Sequence, residues 1–163
     1  MTIEDIVLDR DKRGIAALRP HLPPDYCDQA ARVVLDNPGT AIIVTGFYII
    51  TAGATETDGP PGAVVIGNAL QSIGYEVVYV TDRYSLKVME GTAGPDSSVV
   101  EFPIAGEEES RSFAKELLSE IAPSVIIGIE RCGLTSEGLY RNMRGVDISE
   151  YNAKADYLFE SGI

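Results

Sequence analysis

The sequence has few of the residues that build metal knuckles, disulfide frameworks and histidine-based active sites. Its 163 residues include one histidine, His21, two cysteines, Cys27 and Cys132, and no tryptophan. A single histidine excludes a histidine-containing catalytic triad and a zinc site made of several histidines. Two cysteines so far apart match neither a disulfide framework nor a metal-binding spacing, so we expect two reduced thiols.

Basic residues are also scarce. Lysine and arginine number 13 against 25 acids, which gives a net charge of −12. Such a charge repels phosphate backbones and anionic membranes, so neither nucleic acid nor a membrane is expected as a partner. The apolar runs are shorter than the roughly 18 to 20 residues of a membrane span. We therefore expect a cytoplasmic protein with a small-molecule partner, and a homo-oligomer stays open.

Short apolar runs alternate with helical patterns, which predicts the fold class. Strands are predicted at "TAIIVTG", "YEVVYVT", "SVVEFPI" and "PSVIIGIE", and residues 47–59 are predicted to be a loop. Such continuous apolar strands are typical of a parallel sheet that is covered on both faces. We predict a Rossmann-like layered α/β sandwich with a mostly parallel sheet. It forms a single domain over residues 1–163, with a helical N-terminal segment, 1–38, packed on it.

The chain ends on "FESGI", which reads as a helix stop followed by the first residue of another strand. The last helix is predicted from about Glu150 to Glu160. Either the tail is frayed, or the sheet is incomplete at the C-terminus and the chain is part of a larger unit.

The first candidate site is "ETDGPPGA", residues 56 to 63, at the start of a predicted helix. Open α/β sheets bind ligands at the carboxyl ends of their strands, and a helix N-terminus attracts anions. Gly59 and Gly62 would let the backbone approach a ligand closely. Glu56 and Asp58 suit the ammonium group of a zwitterion or a divalent metal. The alternative is that Asp58 merely caps the helix.

The second candidate site is "IERCGLTSEGLYRNMRG", which begins where the fourth strand ends. Glu130 and Arg131 come first, and the alternative to a functional role is a local ion pair between them. Tyr140 and Asn142 supply hydrogen-bonding groups, and Arg144 could bind a carboxylate in a bidentate contact. Neither a G-x-G-x-x-G after a strand nor a G-K-[ST] occurs, which counts against a nucleotide enzyme.

Taken together, the motifs "TGF", "ETDGPPGA", "VYVTD", "IIGIERCG", "GLYRNMRG" and "ADYLFESGI" resemble the D-glutamate cyclase family. They follow in order from about Thr45 to Ile163. The resemblance implies a hydro-lyase reaction in which D-glutamate loses water and closes to 5-oxo-D-proline. Family members continue into a glycine-rich segment of the type "IGDGGNEIGMG", which this sequence lacks. The alternative is therefore a non-catalytic module that binds an acidic amino acid or a small metabolite.

The chemistry of this reaction suggests roles for the candidate residues. Glu56 or Glu130 could act as the base, and Asp58 could protonate the leaving oxygen. Amides near Gly59 to Gly62, or Arg131, could stabilise the oxyanion, and Arg144 could hold the α-carboxylate. Tyr140 and Asn142 are further candidate substrate contacts. The cofactor is unknown, with Mn²⁺ or Mg²⁺ as the open choice.

Overall fold

The computed structural model describes residues 1–12 and 14–161, and the chain divides into two compact units, Met1–Pro38 and Gly39–Ile163. The first unit contains helix α1 (Ile3–Val7), a 3-10 helix (Ile15–His21) and helix α2 (Tyr26–Asp36). Nothing tests the prediction of a single domain with residues 1–38 packed on it. The strand start expected at the end of the chain lies outside the described residues.

The second unit alternates strands and helices, which confirms the predicted fold class. Its elements are β1 (Thr40–Thr45), β2 (Tyr48–Ile49), β3 (Ala54–Thr55), α3 (Gly59–Ser72), β4 (Glu76–Thr81), α4 (Leu86–Ala93), β5 (Ser98–Glu101), α5 (Glu107–Ile121), β6 (Val125–Ile129), a 3-10 helix (Ser149–Tyr151) and α6 (Asp156–Glu160). Two details of the prediction are wrong. Residues 47–59 contain the antiparallel hairpin β2–β3, and the predicted last helix is split into the 3-10 turn and α6.

The four long strands form a parallel sheet in the order β5-β4-β1-β6. From β1 the chain moves outward through β4 to β5, and it then returns to place β6 on the other side of β1. The connections therefore reverse direction between β1 and β6. In open parallel sheets this switch point, at the carboxyl ends of the two strands, is where a crevice opens and ligands bind.

The sheet is buried on both faces, as its apolar strands predict. Ile42 and Val44 belong to a core with Leu117 of α5 and Leu158 of α6, and all four are at most 7% exposed. The alternate residues of β1 point to the other face. Within the described chain, no helix combines the length and hydrophobicity that crossing a bilayer requires.

Helix α3 lies against the sheet because Gly67 has no side chain. A Cβ at this position would lie 2.0 Å from the hydroxyl oxygen of Tyr79, a β4 residue that is 2% exposed. The buried tyrosine ring has little freedom to move, so the glycine sets the distance between helix and sheet.

We expect Gly67→Ala to lower the free energy of unfolding by about 1 to 3 kcal/mol, because a methyl group is forced into filled space. Gly91→Ala in α4 is the matched control, since outside its own helix backbone and chain neighbours no described residue has an atom within 4 Å of a Cβ there. That change should raise stability by about 0.5 to 1 kcal/mol, the usual gain for alanine over glycine in a helix. Urea unfolding measures both. Equal effects of the two substitutions would contradict this account of the helix–sheet contact.

Glu4 stabilises the start of α2 in the first unit. It is 3% exposed, and its Oε1 accepts a hydrogen bond of 3.0 Å from the Cys27 N–H. Hydrogen bonds from Thr2, from its own backbone and from Cys27 lower the pKa of Glu4 from 4.5 to about 2. A depressed folded-state pKa stabilises the fold fully above the unfolded-state value of 4.5, and this contribution is lost as the pH falls toward 2.

An NMR titration of the Glu4 carboxyl carbon should therefore show a midpoint close to pH 2. Glu4→Gln should remove this group's share of the stability loss between pH 4.5 and 2. A midpoint near 4.5 in the native protein would show that the carboxylate does not hold α2.

Candidate functional site

Three predicted carboxylates meet at the switch point between β1 and β6. Glu56, Asp58 and Glu130 each place one carboxylate oxygen within 4.8 Å of the other two. The first two residues lie between β1 and α3, and Glu130 directly follows β6. At this separation two carboxylates repel each other by about 1 kcal/mol even in water. The backbone must therefore hold this acid cluster together.

The backbone at Glu130 and Gly59 brings the segments that carry the three acids close together. Glu130 has a φ of +46°, in the left-handed region that costs a residue with a side chain about 1 kcal/mol or more. Opposite it, a Cβ on Gly59 would lie 3.0 Å from the Glu130 Cβ and 2.7 Å from Thr45 Oγ1. A glycine at position 59 thus lets the start of α3 approach the ends of β1 and β6.

Asp58 occupies the N-cap position of α3, but its side chain makes no capping hydrogen bond. The capping alternative is therefore wrong, and the carboxylate faces the other two acids instead. Glu56 is held through its backbone, because its N–H donates to the carbonyl of Phe47 at 2.7 Å. Glu56 is half-buried, whereas Asp58 and Glu130 are exposed.

Fewer backbone N–H groups of residues 59–62 are available to a ligand than the sequence predicted. Pro60 and Pro61 have no N–H, and the Gly62 N–H donates to the carbonyl of Asp58 at 3.2 Å. The N–H of Gly59 is left as the amide of this segment that could reach a ligand. Gly62 is instead in contact range of Ile129, since a Cβ there would lie 3.7 Å from Ile129 Cγ2.

Arg131 pairs with Asp82 and not with Glu130, so the alternative of a local ion pair is wrong. Its Nη1 donates to Asp82 Oδ2 at 3.0 Å and to the Gly46 carbonyl at 3.2 Å. Its Nη2 donates to the Ala153 carbonyl at 2.6 Å. The side chains of Arg131 and Asp82 are only 7% and 2% exposed. The guanidinium therefore joins the segments that follow β1, β4 and β6.

The Nε of Arg131 is buried and has no hydrogen-bond partner among the described residues. The partner of Arg131 was missed by sequence reasoning, although Asp82 stands directly after the strand "YEVVYVT". The sequence signal for this pairing was an acid directly after a predicted strand, at the same sheet edge as Arg131.

A pocket of about 220 Å³ adjoins the acid cluster through Glu130. We call it the β6 pocket, and its walls come from β1, β6 and the residues around α6: Val44, Gly128, Glu130, Arg131, Cys132, Gly133, Ala155, Asp156 and Phe159. Burial raises the pKa of the Cys132 thiol to about 11. The thiol is therefore neutral at pH 7 and unsuited to act as a nucleophile.

The remaining predicted substrate contacts, Tyr140, Asn142 and Arg144, are not among the residues that line the β6 pocket. Tyr140 is fully buried and its hydroxyl donates to Asp156, so this residue supports the pocket from behind and lines none of it. Asn142 Oδ1 accepts the N–H groups of Arg144 and Val146, which fixes a turn. Arg144 is exposed, and its contact with a substrate stays a prediction.

Comparison with known proteins supports the resemblance that the motifs indicated. The profile of a family described as "D-glutamate cyclase-like, C-terminal" matches residues 3–162. The chain belongs to the D-glutamate cyclase-like family. It is also 28% identical over 167 residues to the human protein "D-glutamate cyclase, mitochondrial". This match covers 94% of the chain and 26% of the human protein, so the chain spans about a quarter of that relative.

Replacing the buried guanidinium tests whether Arg131 holds the site together. Arg131→Met leaves the Asp82 carboxylate buried without its partner, which should lower the free energy of unfolding by about 3 to 5 kcal/mol. Arg144→Met, at an exposed position, should change it by less than about 0.5 kcal/mol. Urea unfolding compares the two. A stability loss for Arg131→Met no larger than that for Arg144→Met would contradict the bridging role.

Proposed function

We propose that this chain is a D-glutamate cyclase-like lyase, which dehydrates D-glutamate to 5-oxo-D-proline. The observation that carries the proposal is the acid cluster at the switch point, directly beside a small pocket that contains a buried arginine. Membership of the family and the similarity to a human D-glutamate cyclase support the choice of reaction. Location in the cytoplasm also remains a prediction, based on composition.

The volume of the site fits one small amino acid. The pocket volume of about 220 Å³ corresponds to about seven water molecules at about 30 Å³ each. We place the substrate ammonium group at the acid cluster and a substrate carboxylate on the Arg131 side of the β6 pocket. Glu130 belongs to both the cluster and the pocket, so it joins the two halves of the site.

In the proposed reaction the substrate amine loses a proton and attacks the carbon of the substrate's own side-chain carboxyl group. A C–N bond forms, a C–O bond breaks and water leaves. Glu56 is assigned as the base, with Glu130 as the alternative, because Glu56 is half-buried and its backbone is fixed by Phe47. Asp58 would protonate the leaving oxygen. Holding the folded substrate with its ends together would supply much of the acceleration.

The oxyanion that develops during the attack needs hydrogen-bond donors. Arg131 lines the pocket and Gly59 lies beside Glu130, so the guanidinium and the Gly59 N–H are the groups that could serve. The three carboxylates also fit a divalent cation such as Mn²⁺ or Mg²⁺, which prefer oxygen ligands. A cation bound there would act as a Lewis acid on a substrate carboxyl oxygen.

A non-catalytic binding module is the second candidate. It is favoured by the openness of the β6 pocket, where Phe159 is 46% exposed at the wall. An open site excludes water poorly, and excluding water strengthens the electrostatic interactions on which catalysis relies. Such a module would bind D-glutamate or a similar metabolite without turnover.

The experiment that tests the proposal is chiral chromatography of D-glutamate incubated with the purified chain. The incubation is run with EDTA, Mn²⁺ or Mg²⁺. We expect 5-oxo-D-proline above the protein-free control, and Glu56→Gln and Glu130→Gln should reduce turnover by about 10²- to 10⁴-fold while D-glutamate still binds. Glu120→Gln, an exposed acid on α5, is the matched control and should keep full activity.

Two results would oppose the lyase. Binding of D-glutamate by calorimetry, without product under any of the three cation conditions, would establish the binding module. Neither binding nor product from the folded chain would contradict both proposed functions of this site.

A further inference from the structure

Glu56 reaches the acid cluster at the end of a hairpin that is too short to hold its own position. The hairpin pairs Tyr48 with Thr55 and Ile49 with Ala54, and Glu56 is the next residue. Isolated two-stranded hairpins are marginally stable in water even when they are longer. The contacts between this hairpin and the rest of the unit must therefore determine where Glu56 lies.

One such contact is a cluster of three aromatic rings, Tyr48, Tyr84 and Tyr151, which we call the tyrosine cluster. The rings of Tyr48 and Tyr151 stack with centroids 4.4 Å apart and planes 4° from parallel. Tyr84 contacts Tyr48 at 4.7 Å and Tyr151 at 5.7 Å, both in tilted geometry. The three residues follow β1, β4 and β6, so the cluster joins three segments at the carboxyl edge of the sheet.

Tyr84 is itself restrained by its neighbour. Arg83 Nη2 donates to the Tyr84 hydroxyl at 3.0 Å, and the guanidinium carbon lies 4.9 Å from the ring centroid. The Arg83 side chain therefore lies against the Tyr84 ring. Tyr151 is held by its 3-10 helix, Ser149–Tyr151.

A second contact fixes the other strand of the hairpin. Thr55 Oγ1 and Ser85 Oγ lie 2.6 Å apart, and Ser85 is 1% exposed. Because Thr55 is the cross-strand partner of Tyr48, the ring stack and this hydroxyl contact hold the same residue pair from two sides. Glu56 follows that pair directly, so its backbone position depends on both contacts.

We propose that Tyr151 is a positioning residue for Glu56. Its stacked ring holds the hairpin in place, and the hairpin keeps the Glu56 carboxylate beside Asp58 and Glu130 although the three acids repel one another. The effect on the hairpin is independent of the reaction. The effect on catalysis rests on the proposed function.

The first test measures the hairpin directly, by hydrogen exchange of the Glu56 N–H that donates to Phe47. In Tyr151→Ala the stack is lost, and exchange of this amide should become about tenfold faster or more, because local opening becomes easier. Tyr151→Phe keeps the ring and should exchange at the wild-type rate. This readout needs no substrate, so it tests the positioning role even if the protein has no cyclase activity.

The second test measures turnover of D-glutamate. Tyr151→Ala should lower kcat by about 10- to 100-fold, since small displacements of a catalytic group are costly, with little change in KM. Tyr151→Phe should restore kcat. In a Glu56→Gln background, Tyr151→Ala should cause no further loss, because the residue it positions is already absent.

Phe113→Leu is the control for a general loss of stability. Phe113 belongs to α5, and its ring packs on Phe102 with centroids 4.8 Å apart. It has no part in the tyrosine cluster. Phe113→Leu should lower the free energy of unfolding without selectively speeding hydrogen exchange of the Glu56 N–H. Unchanged exchange at Glu56 in Tyr151→Ala, or an equal rise in Phe113→Leu, would overturn the proposal. So would a wild-type kcat in Tyr151→Ala if the native chain is an active cyclase.

Discussion

The buried ion pair between Arg131 and Asp82 is the interaction on which the site depends. Removing two charges from water is costly, and that cost is offset here only because the guanidinium also binds the carbonyls of Gly46 and Ala153. These four residues come from different segments at the carboxyl edge of the sheet. The guanidinium of Arg131 therefore fixes the segments that carry the acid cluster and the pocket relative to one another.

The acid cluster and the tyrosine cluster have different roles at the carboxyl edge of the sheet. The carboxylates carry the proposed chemistry and would separate if they were free to do so. The tyrosine rings and the Thr55–Ser85 contact oppose that separation from the hairpin side, while the left-handed backbone at Glu130 does so from β6. A group of like charges at a switch point thus requires rigid surroundings, and the sequence of this chain supplies them from aromatic and hydroxyl side chains.

The amino-acid pattern was sufficient to predict the parallel sheet but not the β2–β3 hairpin. Long apolar strands such as "TAIIVTG" carry a strong signal, because burial on both faces demands it. The hairpin strands are two residues each, too short for any periodicity, and their stability comes from distant rings. Among site residues, Glu56 and Asp58 could be found because they precede the start of a predicted helix, and Glu130 because it ends a predicted strand. Asp82 could be recognised as an acid at a strand end, but its pairing with Arg131 and the burial of Tyr140 could not, since both depend on which side chains the fold brings together.

The two prolines at the start of α3 have a consequence for which ligands the site can reject. A phosphate bound at a helix N-terminus needs several free N–H groups, and Pro60 and Pro61 remove two of them where they would be most useful. The nearby carboxylates add repulsion. The start of α3 therefore offers little to phosphorylated metabolites and nucleotides, which bind readily to other sheets of this topology. The two prolines contribute to this discrimination through the backbone, without any side chain that blocks the pocket.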